Sequence, residues 1–519
     1  MYSFSKALQR AALVNPGGTA TWYRGRETSW TESLERVRKY AGVLADAGVA
    51  NGDRVAMLGL NTDTLYQCFF AVPWAGGVSV PLNYRLAVPE LGECLSDAEC
   101  KVLLIDESYL PLVPDIRRAA PGVKAIISLG AADDSLGVPA LSQLAESREP
   151  LEDQGRGGDD IVALYYTGGT TGRAKGVIIT HEGMIVNILQ WLHAVSVTPR
   201  DVLLVIAPMF HLVGGLNALA VTVLAARAAI ADKFDPAEVV RTIEEVGVTK
   251  AALVPIMVEA IVNYLDENEA DLSTLKKISY GGAPMTETGL RRALSALPNT
   301  RFYQIYGQTE GGPNISMLAP EYHVLEGEHA GKLRSAGKPI SGTIVTILDA
   351  NDQPLPSGQV GEIAVQGLTL SPGYWKMPDV TAEANRNGWL HTGDMGYLDE
   401  EGFIFIVDRL KDMIITGGEN VYSAEVENVV GAHPAVFQCV VIGIPSERWG
   451  EQVHAIVRLN EGMQASEEDI IAHCRKSLGG FKCVRSVEFR KVPFPVSGAN
   501  KILKRELRDE YWKDRGKKL

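Results

Sequence analysis

Positive charge is in short supply in this chain. Lys and Arg number 50 against 63 Asp and Glu, a formal net charge of −13. That balance argues against nonspecific DNA or anionic-membrane binding as the main activity, because both draw on a surplus of Lys and Arg. The six cysteines (Cys68, Cys94, Cys100, Cys439, Cys474 and Cys483) form no Cys-x-x-Cys pair and no zinc-like cluster. They read as reduced thiols of a cytosolic protein. The first sixteen residues mix Lys6, Gln9 and Arg10 into their apolar positions and lack the h-region of a signal peptide. Neither a short-period repeat nor a low-complexity segment is present. One stretch, residues 212–231, is apolar enough to raise the question of a membrane span. It carries Asn217, Arg227 and two adjacent glycines, so a buried helix followed by a strand is expected.

What is there is ordinary globular composition, with 46% hydrophobic and 22% charged residues over 519 positions. Such a chain can bury a large core without disulfide or metal staples. At about 150 residues per domain, length alone suggests roughly three or four compact units. Short β-branched runs at 54–58, 101–105, 201–206, 250–254 and 301–305 alternate with helix-like segments. One of these, 236–246, has Asp235 as N-cap, Pro236 at its first position and Glu238 completing a box-like pattern. Strands alternating with helices predict parallel sheet. After residue 341 the texture changes to short strands at 343–348, 361–365 and 403–407, separated by Gly, Pro, Asn and Asp, which suggests a small barrel or antiparallel unit. Residues 412–519 read as a small α+β domain with helices near 424–430 and 467–477 and strands at 437–442 and 453–459.

The densest local signal is Tyr166-Thr167-Gly168-Gly169-Thr170-Thr171-Gly172-Arg173-Ala174-Lys175-Gly176, set between two apolar runs. Small residues and hydroxyls expose backbone N–H groups and side-chain donors without bulk, and Lys175 adds charge, a combination suited to phosphate oxygens. No Gly-Lys-Ser/Thr closes the loop, so it is not a Walker A motif. The segment resembles the phosphate-binding signature of the AMP-forming adenylating superfamily of acyl-CoA synthetases, aryl-CoA ligases, luciferases and peptide-synthetase adenylation domains. The usual loop has Ser at Gly168 and Pro at Ala174.

Further segments resemble this superfamily in the same order. Tyr306-Gly307-Gln308-Thr309-Glu310 resembles its adenine and magnesium motif, which implies Tyr306 stacking on adenine, Thr309 at the α-phosphate and Glu310, with Thr167, holding Mg²⁺. Gly281-Gly282-Ala283-Pro284 resembles the stretch beside the nucleotide and acyl carboxylate. Trp389-Leu390-His391-Thr392-Gly393-Asp394 implies Asp394 on the ribose hydroxyls. Asp408-Arg409-Leu410-Lys411-Asp412 implies a hinge at 409–411, with Arg409 reaching ribose and Lys411 as pivot. Gly417-Gly418-Glu419-Asn420-Val421-Tyr422 resembles the loop lining the pantetheine tunnel, and Gly361–Gly367 a motif of fatty-acyl and 4-coumarate-type ligases. Ser497-Gly498-Ala499-Asn500-Lys501 aligns with the catalytic-lysine motif, with Asn500 where Gly is usual. His211, after Phe210, matches the acyl-site aromatic motif and implies substrate carboxylate placement or a tunnel role. Trp191 lies where some fatty-acyl ligases carry a gating tryptophan, although core packing explains it more simply. Taken singly, each of these residues has an ordinary structural explanation; their shared order does not.

The resemblance implies an α/β protein: a large N-terminal domain of parallel α/β sheets plus a small β-barrel (residues 1–408), and a small mobile α+β C-terminal domain (412–519) carrying Lys501. It implies a carboxylic acid–CoA ligase using ATP, Mg²⁺ and coenzyme A, with no covalent protein nucleophile, in keeping with the lack of a His-paired cysteine or nucleophile elbow. An acyl-AMP would form first, and CoA would then displace AMP. The apolar runs at 212–226 and 254–260 point to a fatty or aromatic acid. A luciferase-like or stand-alone adenylating enzyme passing acyl-AMP to another acceptor is the rival. A peptide-synthetase module would continue into a carrier domain beyond Leu519, and a non-enzymatic scaffold would be expected to lose Lys501, Glu310 or Asp394. The expected partners are therefore small molecules, with no nucleic acid, no transmembrane segment and a homodimer left open, in a cytoplasmic setting.

Overall fold

A computed structural model describes residues 3–167, 174–282, 285, 287–417, 419–496 and 502–513. The chain divides into two compact units rather than three or four: Met1–Ile344 with Val365–Leu390, and Val345–Ala364 with His391–Leu519.

The first unit holds two sheets. In the six-stranded sheet the order is Ala125–Ser128, Val102–Ile105, Arg54–Leu58, Val78–Leu82, Ile161–Thr167 and Lys175–Thr180. Neighbours are parallel except the last pair, an antiparallel hairpin. The nine-stranded sheet runs Lys338–Pro339, Ser316–Leu318, Arg301–Tyr306, Lys277–Gly281, Lys250–Leu253, Val202–Val205, Arg227–Ile230, Thr19–Tyr23 and Arg26–Ser29, parallel in its middle and antiparallel at both ends. Runs such as Val102-Leu103-Leu104-Ile105 are buried at every position, as strands covered on both faces must be.

One apolar core joins these sheets, which is why length overcounted the units. Val55, Val102 and Tyr165 of the six-stranded sheet share a cluster with Leu203, Ala228 and Ala20 of the nine-stranded one, with Trp30, Phe70, Trp191 and Leu216 of the helices packed among them. Each such buried Leu, Val or Phe contributes about 1.5–3 kcal/mol. The apolar stretch is the helix Leu212–Leu224 followed by the strand Arg227–Ile230. Its Asn217 donates to the Val213 carbonyl at 2.7 Å, so a polar side chain is carried without an outside partner. Among the described residues no helix is long and apolar enough to cross a membrane. Helix Pro236–Val246 starts as its sequence predicts, with the Asp235 carboxylate accepting from the Glu238 N–H at 3.0 Å.

The second unit carries most of the remaining strands. Ile404–Arg409 pairs antiparallel with the strand Trp389–Leu398, ten residues long, whose His, Gly and Asp hide the period-two pattern of a strand. A further sheet orders Glu419–Val421, Ile414–Thr416, Gly450–Leu459 and Val436–Ser446, with Ser486–Phe489 beside Gly450–Leu459. Helices Ser423–Gly431 and Glu467–Arg475 cover it. A third helix, Lys504–Trp512, was not expected. Its charge-dense sequence fully buries only Leu507, which packs with Val440, Ile442 and Ile456.

Candidate active site

In the first unit the strands on either side of the glycine/threonine segment, Ile161–Thr167 and Lys175–Thr180, pair antiparallel. Thr167 and Lys175 are the cross-strand partners nearest that segment, and Tyr166 pairs with Gly176. The stem is anchored by the Tyr166 hydroxyl, which donates to Asp97 at 2.7 Å. Gly168, Gly169, Thr170, Thr171 and Gly172 lie outside the described residues.

A segment without a sequence signal lies along the other edge of this hairpin. The Ile178 N–H donates to the Gly373 carbonyl at 3.0 Å, the Trp375 N–H donates to the Gly176 carbonyl at 2.7 Å, and Tyr374 bridges Val177. The chain thereby gains a short antiparallel edge whose central side chain is Tyr374.

Tyr306 closes its strand, parallel to Lys277–Gly281, so both strands end on the same edge of the sheet. Loops at the carboxyl ends of parallel strands are where open α/β sheets bind ligands. The two strand ends approach so closely that side chains are excluded. A Cβ on Gly281 would stand 2.2 Å from the Ile305 carbonyl oxygen, and one on Gly307 would stand 2.4 Å from that of Pro313. Gly282 follows at φ +80°, while Ala283 and Pro284 lie outside the described residues. Tyr306 is buried; Gln308, Thr309 and Glu310 are partly exposed, and Thr309 opens a 3₁₀ turn. Glu310 is held twice by the unsignalled segment. Its carbonyl accepts from the Ser371 N–H at 2.8 Å and its Oε1 accepts from the Tyr374 hydroxyl at 3.0 Å. Burial, then the neighbouring Glu310 charge, pushes the Tyr374 phenol well above its ordinary value, so it stays a donor. The Lys175 ammonium sits over the same ring, 5.1 Å from its centroid. The structure thus brings Lys175 and Glu310 together at Tyr374, with Thr167 the cross-strand partner of Lys175.

His211 is the N-cap of helix Leu212–Leu224 but makes no capping bond with its side chain. Its ring lies 4.3 Å from Phe210, which meets Tyr84 edge-on at 5.0 Å, and Tyr84 stacks on Tyr109 at 5.8 Å. Tyr84 comes from a turn and Tyr109 from the 3₁₀ helix Glu107–Leu112, and no motif announces them. Trp191 is 2% exposed and packs in the core, under the Lys250 ammonium 4.4 Å from its ring centroid.

In the second unit Asp394 and Arg409 are cross-strand partners, and the Arg409 Nε stands 2.9 Å from Asp394 Oδ1. Glu362 fixes the strand just before Asp394, where Gly393 is at φ +70°: its Oε1 accepts from the Gly393 N–H at 3.0 Å, and its Oε2 meets His391 Nδ1 at 2.8 Å. Lys411 lies in the 3₁₀ turn Leu410–Asp412, where its carbonyl accepts from Arg508 at 3.0 Å. Gly417 is at φ +61° and Glu419 begins a short exposed strand, while Gly418 and Lys501 lie outside the described residues. Lys504, three positions after Lys501, bonds Glu427 and the Ser423 hydroxyl, both at 2.7 Å. Burial opposes the Lys504 charge, but Glu427 and Asp408 raise its pKa above the ordinary value.

Residues 8–375 match the family described as AMP-binding enzyme, and residues 425–499 match the AMP-binding enzyme C-terminal domain. The chain belongs to the AMP-binding enzyme family. A feruloyl-CoA synthase of an Amycolatopsis species is 38% identical over 503 residues, covering 97% of this chain and 98% of the relative. A fatty acid–[acyl-carrier-protein] ligase of Streptomyces coeruleorubidus is 37% identical over 523 residues, covering 98% and 96%. Among solved structures, the o-succinylbenzoate CoA synthetase of Bacillus subtilis, in complex with its acyl-adenylate intermediate, is similar with TM-score 0.86 and 28% identity, covering 97% of this chain and 98% of the other. This AMP-binding enzyme is an AMP-forming acid–thiol ligase, a class whose small molecules are ATP, Mg²⁺ and CoA. Its residues suit that group: Glu310 and Thr167 offer the hard oxygen ligands Mg²⁺ takes, and Lys175 offers charge for phosphate.

Proposed function

We propose that the chain ligates an apolar fatty or aromatic carboxylic acid to CoA in two half-reactions at one active site. The carboxylate attacks the α-phosphorus of ATP, giving acyl-AMP and pyrophosphate, and the CoA thiol then displaces AMP. A carboxylate is otherwise a poor acyl donor, because a thiol attacking it would have to expel oxide. The observation carrying this reading is the meeting of Lys175 and Glu310 on either side of Tyr374 beside the Thr167 hairpin. Glu310 and Thr167 would hold Mg²⁺, which would supply positive charge against that gathering on the phosphates. Lys175 and the hairpin amides orient the phosphates, Thr309 the α-phosphate, and Lys501 donates to the charge developing as pyrophosphate leaves. Tyr306 takes the adenine face, and Asp394 with Arg409 takes the ribose. His211, at the mouth of an apolar helix, places the acid carboxylate.

Residues 409–411 act as the hinge. The C-terminal domain, 412–519, first brings Lys501 to ATP and then turns so that Gly417, Gly418 and Glu419 line a path for pantetheine. We place the enzyme in the cytoplasm.

A second reading, in which acyl-AMP passes to a carrier-protein thiol, draws on the resemblance to the acyl-carrier-protein ligase. Fatty, cinnamic and benzoic acids assayed for AMP release with CoA, carrier protein or neither separate these outcomes. Turnover dependent on CoA with one acid class supports the proposal, and turnover only with carrier protein replaces it.

A further inference from the structure

None of the motifs quoted above includes residues 371–375, yet this segment touches both the Lys175–Thr180 strand and the proposed metal carboxylate. Tyr374 is the point of contact. Its backbone is fixed: Gly373 and Trp375 bond to the Lys175–Thr180 strand on either side of it, and its own N–H donates to the Thr381 hydroxyl at 2.9 Å. Its hydroxyl is 3.0 Å from Glu310 Oε1, its ring faces the Lys175 ammonium, and Ser371 of the same segment holds the Glu310 carbonyl. Lys175 and Glu310 carry opposite charges and would pair directly if they met, cancelling the cation meant for phosphate and the anion meant for metal. An aromatic ring with a hydroxyl edge gives each its own partner: the π face takes the ammonium and the hydroxyl takes one carboxylate oxygen. A carboxylate with one oxygen so restrained offers the other in a set direction, which a small octahedral cation such as Mg²⁺ rewards.

We propose that Tyr374 is a positioning residue that keeps Lys175 and Glu310 from pairing and aims the Glu310 carboxylate at the metal of the metal–ATP complex. The inference rests on the assignment of Glu310 as metal ligand in the proposed function.

The test is equilibrium binding of Mn²⁺ to the full-length enzyme in the presence of ATP, followed by the Mn²⁺ paramagnetic resonance signal, with thermal unfolding alongside. Tyr374→Phe keeps the ring and loses the hydroxyl; it should raise the Mn²⁺ dissociation constant roughly tenfold, as expected for losing a hydrogen bond to a charged group. Its KM for metal–ATP should rise in step, because the metal binds as part of that complex, while its conversion of supplied acyl-AMP to thioester, which needs no ATP, should stay near wild type. Tyr374→Leu removes the ring as well and should raise the metal–ATP KM further. Glu310→Asp draws the carboxylate back from the hydroxyl, so adding Tyr374→Phe to it should cost little more; this cycle also decides the matter if Tyr374→Phe lowers the unfolding temperature. Wild-type Mn²⁺ affinity in Tyr374→Phe, or additive losses in the double variant, overturns the proposal while leaving the Glu310 assignment standing. Unchanged Mn²⁺ affinity in Glu310→Gln removes that assignment, and the proposal with it.

Discussion

The two units hold their candidate nucleotide residues in different ways. In the first, Thr167, Gly282 and the 306–310 segment lie where strands end and turns begin, Thr167 and Tyr306 as the last paired residues of their strands and Glu310 beyond them, held by Ser371 and Tyr374. In the second, Asp394 and Arg409 face each other within an antiparallel pair and are already joined. The Asp394 side chain is 6% exposed and that of Arg409 is 47% exposed. The first arrangement holds its carboxylate by neutral donors, the Tyr374 hydroxyl and the Ser371 N–H. The second stores a carboxylate inside an ion pair, and under the proposed function a ribose would take over part of what Arg409 supplies. Charge placed in turns costs little to desolvate, whereas a buried carboxylate needs its partner until the ligand arrives.

Variants in the two units should therefore fail differently. The largest effect is expected for Lys501→Ala, which should slow ATP-dependent adenylation on the order of 10²–10³-fold, the cost of removing one transition-state donor. Conversion of supplied acyl-AMP to acyl-CoA should survive, because the lysine serves only the first orientation; equal loss of both steps ends that assignment. Lys411→Pro comes next. Proline fixes φ and removes an N–H, trapping one hinge orientation. Pyrophosphate exchange should persist while most thioester formation disappears, and parallel loss of both would leave Lys411 as a residue of a static turn.

Asp394→Ala should raise the ATP KM by about 10- to 100-fold, matching the ~1–3 kcal/mol lost when a buried group is left without its partner. An unchanged KM would dissolve the contrast between the units. The smallest effect concerns pH. Burial holds His181 and His323 of the first unit, and His454 of the second, at about 4 against an ordinary 6.5. Between those values the unfolded chain binds protons that the folded chain refuses, so stability is full above pH 6.5 and is lost as pH falls toward 4. His181 Nδ1 accepts from the Phe4 N–H at 3.3 Å, which requires a neutral ring. His181→Gln should flatten the acid loss of thermal stability in the first unit by a few degrees (~1 kcal/mol) and leave the second unit's loss in place. A pH profile identical to wild type would contradict it.

The parallel strands were legible because a strand covered on both faces is an unbroken apolar run, as at Val102–Ile105. The hairpin was legible because glycines between two such runs have few other uses. Tyr374 was not, since its partner Glu310 is 64 positions away and its neighbours read as coil. Glu362 stood inside a quoted motif, yet nothing in its spacing says that both its oxygens hold the strand just before Asp394. The helix Lys504–Trp512 was hidden by charge, because one fully buried leucine makes no visible stripe.

Gly281 and Gly307 carry a consequence for how such an enzyme can diversify. At both positions the space of a methyl group is filled by a neighbouring carbonyl oxygen. Point substitution there displaces backbone before it can alter what the loops recognise. The Leu212–Leu224 helix is bound in the same way at Gly214 and Gly215, where a Cβ would stand 2.1 Å from the Pro208 carbonyl oxygen and 2.2 Å from the Tyr165 hydroxyl. Room to vary is left to side chains that meet other side chains, as the Phe210, Tyr84 and Tyr109 rings do.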